Sequence, residues 1–327
     1  MLRFFRSSKT IVLIVILLLG GLTWIYTLLE GKLVNENRYG TFLFQSIDGW
    51  MDNQPELSVW CGWILSMLGA LMLIFVNNRL HLIDRISYMP ALCYILLVGG
   101  VPSIHQLNPV IIATIFLILA FIQLIMSYRS ENLSYGYFLA PLFISVATFF
   151  YQYAYVFMVI VWFSILFLRP GYWREWVFSL IGFIFPFFLL FCWYYLLEDN
   201  YTAIFIFLED IFSIHRNIPE LLPSTMIFFG VCTVVGIITF GHLMRYIGSR
   251  KIIIRNGYYT LIAISIVILI MVAIIPDTLP LAWYLLAFPL SFFLSHYLVN
   301  VRSLRWGNIL LWLLFAGVLT AQLIYLN

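Results

Sequence analysis

Residues 132–168 read NLSYGYFLAPLFISVATFFYQYAYVFMVIVWFSILFL, 37 residues without one charged side chain. A helix rises about 1.5 Å per residue, so about 20 apolar residues cross a bilayer. The stretch is too long for one crossing and long enough for two short ones, parted at Tyr151-Gln152-Tyr153. Its flanks make the same demand. Arg129 precedes it and Arg169 follows it, and basic residues beside span ends belong on the cytoplasmic side. Both arginines reach that side only if the chain crosses twice, at 134–150 and 153–168.

Working outward, nine further apolar runs can be marked, at 10–29, 58–77, 87–103, 109–127, 176–197, 224–243, 258–276, 281–299 and 307–325. The run at 87–103 is short and carries Gly99, Gly100 and Pro102, which predicts a broken or re-entrant segment. With the N-terminus inside, 14 of the 17 basic residues fall in cytoplasmic segments, and only Lys32, Arg38 and Arg216 fall outside. The acids divide the other way: 11 of 14 lie outside, and Asp84, Glu131 and Glu175 are the exceptions. A wrong number of crossings would scramble this division. The expectation is an all-α membrane protein, a polytopic bundle of eleven transmembrane helices forming a single transmembrane domain over 1–327. Its N-terminus is cytoplasmic and its C-terminus outside.

A composition of 64% hydrophobic and 9% charged residues, with mean hydropathy +1.02, excludes a soluble globular chain. The net charge of +3 does not point to nucleic acid, because the basic residues are spread around the cytoplasmic rim, where they match anionic headgroups of the lipid bilayer. Aromatic residues, 19% of the chain, gather at span ends as an interfacial belt. Cys61, Cys93, Cys192 and Cys232 lie inside the runs without metal-ligand spacing, and read as small apolar fillers. The basic leader Met1–Arg6 looks like the start of a signal sequence. The run behind it is too long for one and no cleavage site follows, so it reads as a retained first span. No Asp, Glu, Lys or Arg falls in the middle of a run, which argues against an ion-coupled transporter. His242 and His296 read as helix-end histidines contacting headgroups. Asn108 and Gln123 read as helix–helix hydrogen-bonding residues.

Chemistry is therefore sought in the two long outer loops, 30–57 and 198–223. Both are partly apolar: YGTFLFQSIDGW at 39–50 and YTAIFIFLEDIFSI at 201–214. Such segments lie on a surface rather than in water. The segment 201–216 is expected to form a helix parallel to the membrane, covering an outer cavity together with 39–52. A transfer enzyme at this face needs a carboxylate that takes a proton or holds a divalent metal, and a cation that neutralises a departing phosphate. Asp48 is the candidate catalytic carboxylate. Arg216, with His215 beside it, is the candidate phosphate-binding group. The plainer roles are a surface-turn cap for Asp48 and pairing with Glu209 or Asp210 for Arg216. Motifs of P-loop enzymes, serine hydrolases and zinc enzymes are missing, so no organic cofactor is expected and a divalent metal is the one inorganic candidate. The cytoplasmic stretch LRPGYWREW, at 168–176, reads as an aromatic and basic anchor that locks the entry of the seventh span.

Asn77-Asn78-Arg79-Leu80 through Met89-Pro90, then LRPGYWREW and GFIFP at Gly182–Pro186, resemble an uncharacterised family of bacterial polytopic inner-membrane proteins over roughly residues 60–190. That resemblance implies the bacterial inner membrane and carries no activity with it. In architecture the chain is also similar to GT-C superfamily glycosyltransferases, which use polyprenyl-phosphate sugars. They start inside, keep their two important outer loops after spans one and seven, and hold the catalytic acid in the first. This resemblance implies a GT-C-like arrangement with Asp48 as that acid and Arg216 near the lipid phosphate. The chain departs from the pattern by lacking a paired Asp-Glu or Asp-Asp directly after span one. Three functions are carried forward: a glycosyltransferase with a polyprenyl-phosphate sugar donor; a non-catalytic subunit of an envelope assembly or secretion complex, with membrane-protein partners; and a lipid or solute transporter.

Overall fold

The computed structural model describes every residue except 8, 31–39, 52–53, 84–86, 130–134, 169–172, 198–222, 302 and 327. The described residues are helical apart from their connections, with one isolated antiparallel bridge between Gly40 and Tyr151. The helices, in chain order, are α1 (Leu2–Phe5), α2 (Thr10–Glu30), α3 (Phe42–Met51), α4 (Pro55–Leu80), α5 (Met89–Gly99), α6 (Pro109–Arg129), α7 (Tyr135–Thr148), α8 (Met158–Leu168), α9 (Trp173–Leu197), α10 (Pro223–Ile247), α11 (Ile252–Ile274), α12 (Leu279–Asn300) and α13 (Leu304–Leu326).

Eight of these, α2, α4, α6 and α9 to α13, are long and apolar enough to cross a membrane. The runs at 87–103, 134–150 and 153–168 hold shorter apolar helices instead. The third run is broken: α5 stops at Gly99 and a 3-10 turn follows at Pro102–Ile104. In the opening stretch α7 stops at Thr148, and the chain resumes as 3-10 at Gln152–Phe157 before α8. Helix starts follow local chemistry. Pro55 and Pro109 stand at first-turn positions, where a missing N–H is harmless. Asn108 caps α6 by accepting a 2.9 Å bond from the Ile111 N–H, as Asn does at an N-cap.

The core lies on α5 and α12. Every residue of α5 is buried, and most of α12 is buried, whereas most of α9 is not. α9 packs chiefly on α7 and turns Phe188 and Trp193 outward, as a lipid-facing helix does.

Polar contacts tie the helix ends together at two levels. At the first, the Thr41 N–H donates to the Phe150 carbonyl at 3.2 Å and that of Leu107 to Ser58 at 3.0 Å. At the second, the Leu2 N–H donates to Asn308 Oδ1 at 3.0 Å. Arg6 there donates to the carbonyls of Leu298 at 2.9 Å and Val301 at 3.2 Å, a cation on the exposed C-terminal carbonyls of α12. Tyr258 donates to Leu82 O at 3.1 Å. The first level holds segments that the charge pattern assigns to the outer, acidic side. The second holds segments assigned to the basic side.

Candidate functional site

Asp48 stands on α3, which lies against the bundle rather than reaching into water. Phe44, Ile47 and Met51 fall at i, i+3 and i+7, one helical face. Phe44 and Met51 bury against Leu107, with Ile47, Leu57 and Ile112 around them. Asp48 follows Phe44 by four residues, so it borders this docked face, and it is half-buried. The start of α3 is fastened as well. Thr41 donates its hydroxyl to the Phe149 carbonyl, and Gln45 donates Nε2 to Gly40 O at 3.0 Å. Gly40 must lack a side chain, because a Cβ there would overlap the Phe44 ring. A Cβ at Gly49 would meet nothing within 4 Å, so the backbone beside Asp48 is open.

Below α3 lies the connection 100–108, whose break was expected from Gly99, Gly100 and Pro102 but whose buried polar side chains, Asn108 apart, were not singled out. The end of α5 leaves backbone carbonyls that lipid could not satisfy. Side chains from α12, α13 and the connection itself take them, together with the carbonyl of Ile104. Trp283 Nε1 donates to Leu97 O at 2.7 Å. His105 Nε2 lies 3.3 Å from Val98 O. Gln322 Nε2 donates to Gly99 O at 3.0 Å and to Thr23 O at 2.6 Å. The Tyr284 hydroxyl donates to Ile104 O at 3.2 Å. His105 stacks on Trp24 with 4.3 Å between ring centroids. A carbonyl can only accept, so the ring nitrogen facing it, Nε2, is the one that carries a proton. Its role is to close the backbone. The missed signal was composition: Ser103, His105, Gln106 and Asn108 are four polar residues in six, all buried.

The basic end carries a second constellation. His242 and His296 stand with ring centroids 5.9 Å apart. Tyr246 stacks on His242 at 4.9 Å, and Tyr258 sits edge-on to His296 at 5.4 Å. The expectation that both histidines contact headgroups fails for His296, which is 2% exposed. α12 is central, so α10 and α11 wall off its end. Asn108 caps its own helix and is also hydrogen-bonded, side chain to side chain, to Tyr284 of α12, so the expected bonding between helices is present there. Beside the histidines opens a cavity of about 900 Å³ between the end of α4, α6 and the α10–α11 turn. Arg79, His81, Arg250 and Lys251 line it.

At the start of α9, Trp173 is 70% exposed while Glu175 is buried. Arg216 and His215, with the 201–216 segment, lie outside the described residues. The four cysteines are free. Among the described residues, no group of three or more His, Cys, Asp or Glu side chains is placed to hold a metal. Comparison of the chain with protein-family models, with curated proteins and with solved structures finds no match in any of the three.

Proposed function

We propose that the chain is a glycosyltransferase of the bacterial inner membrane, moving a sugar from a polyprenyl-phosphate donor to an acceptor at the outer, acidic face. The observation that carries this reading is the half-buried carboxylate of Asp48 on a helix docked flat across the bundle end, with open backbone beside it at Gly49. A base there takes the proton of an acceptor hydroxyl as its oxygen bonds to the anomeric carbon and the sugar–phosphate bond breaks. The departing lipid phosphate needs a countercharge, which Arg216 with His215 would supply from the second outer loop. The reading includes eleven crossings with the N-terminus inside. It is supported by the end contacts named above, each of which pairs segments assigned to the same side. Single cysteines at Gly171 and Asn200, in a chain cleared of its own four, should label from opposite sides; labelling from one side overturns the topology.

Release of sugar from a panel of polyprenyl-phosphate donors by the detergent-purified protein, lost in Asp48→Asn, tests the chemistry. A second reading, a non-catalytic subunit of an envelope assembly, is favoured by the outward Trp173 and Arg174 at the start of α9. It predicts that no donor is cleaved and that Arg174→Ala, rather than Asp48→Asn, produces the loss of function in cells.

A further inference from the structure

We infer that the cleft at the basic end is a binding site for the phosphate group of an anionic membrane lipid. This goes beyond the transfer reading, since the cleft lies at the other end of the bundle from Asp48.

The cleft is charged, open and built. Arg79 and His81 enter it from the end of α4, and Arg250 and Lys251 from the α10–α11 turn. Three of the four carry fixed positive charge, and no carboxylate lines the cleft among the described residues. Phosphate is the anion that several converging cations suit best, because its oxygens accept from more than one donor at once. The supporting backbone is fastened. The His81 N–H donates to Asn77 O at 2.8 Å. Asn77 Oδ1 accepts from the Ile83 N–H at 3.1 Å. Tyr258 ties down Leu82 O at 3.1 Å. His81 itself holds the left-handed conformation, φ 50° and ψ 41°, which non-glycine residues seldom adopt and which ends α4 facing the cleft. The Arg250 guanidinium lies 5.5 Å over the Tyr246 ring, a cation–π contact that narrows its freedom before any ligand arrives.

The remaining lining decides the source of the phosphate. Leu80, Ile125, Met126 and Ile253 form an apolar wall beneath the cations. A free anion gains nothing from such a wall, whereas the first carbons of a lipid chain do. A volume of about 900 Å³ also far exceeds one phosphate.

A basic membrane surface attracts anionic lipid without any site, so the test must separate cleft from field. The purified full-length chain is mixed with phosphatidic acid or phosphatidylcholine micelles, and retained lipid is counted by native mass spectrometry. Wild type should retain phosphatidic acid well above phosphatidylcholine. The triple variant Arg79→Ala/Arg250→Ala/Lys251→Ala should lose about a hundredfold in affinity, at roughly fivefold per cation. The control Arg3→Ala/Lys9→Ala/Arg305→Ala removes equal charge from the same end and should lose less than about fivefold in total, because none of its residues lines the cleft. If the triple variant does not fold, Lys251→Gln alone, at an exposed position, should still cost about fivefold. Equal retention of the two lipids, equal loss in cleft and control variants, or no loss in Lys251→Gln overturns the site. Competition by glycerol 3-phosphate at the same concentration as the lipid overturns the lipid and leaves a soluble phosphate ligand. Asp48→Asn should retain phosphatidic acid like wild type, so failure of the transfer reading leaves this result readable.

Discussion

The two ends of the bundle treat their exposed backbone in opposite ways. At the acidic end, the chain break after α5 is sealed: Trp283, Gln322 and Tyr284 reach in from α12 and α13 to take freed carbonyls, and α3 lies across the top. At the basic end, α4 stops in a left-handed turn at His81 and a cleft rimmed by cations stays open. The difference follows from solvent. Neutral carbonyls deep in an apolar layer have no other partner, so the fold must supply one. Cations at a headgroup surface are solvated there, so the fold can gather them around an open cleft without a lining carboxylate among the described residues.

The largest effect expected from this contrast is chemical. Under the proposed transfer, Asp48→Asn should lower sugar release by about 10²–10⁴-fold, the usual contribution of a general base, with little change in thermal stability, since a half-exposed carboxylate adds little to the fold. A loss of stability comparable to the loss of rate would make Asp48 a structural cap. Next comes Trp24→Ala. It removes a buried ring and its stacking partner for His105, and should cost about 3 kcal/mol, seen as a lower denaturation midpoint in detergent. If the midpoint stays, the seal at the acidic end does not hold the fold. Gln322→Leu leaves the carbonyls of Thr23 and Gly99 without that donor. Hydrogen bonds between membrane helices are weak on average, so about 1 kcal/mol is expected. A larger loss would mean that water cannot reach the break. The smallest effect belongs to α9. Trp193→Leu, on a face that is 59% exposed, should change stability by less than about 0.5 kcal/mol; a clear loss would point to a partner helix on that face.

Much of the helical pattern was legible beforehand because lipid imposes it. A run such as Ile11–Leu29 can only be a helix, and α2 spans Thr10–Glu30. The break in the third run was readable from Gly99, Gly100 and Pro102, and the helix does stop at Gly99. The interruption at Tyr151 was forced by Arg129 and Arg169, and α7 ends at Thr148. The apolar character of YGTFLFQSIDGW pointed to a segment held against a surface, and its residues Phe42–Met51 form α3, packed through Phe44 and Met51. The sites were less legible. The seal of the α5 break carries no motif, because Trp283 and Tyr284 lie nearly 200 positions from the Leu97 and Ile104 carbonyls that they take. Asn108 was legible as a bond between helices, which it makes to Tyr284, but not as a cap, because a cap depends on where the helix starts, which only Pro109 hinted at.

Taken alone, the sequence determined what depends on the solvent of each residue: apolar stretches that must be helical, charges that must stay at the surface, and a signed division of loops. Tertiary packing decided what depends on pairs. It buried His296 by making α12 central, brought His242 within 5.9 Å of it, sealed the α5 break with α12 and α13, and gathered Arg79, Arg250 and Lys251 around one cleft. Hydropathy and charge are properties of single residues in a medium, readable one position at a time. A carbonyl's partner, or the set of cations that shares one anion, is a property of distance between segments remote in the chain, and distance exists only once the helices have packed.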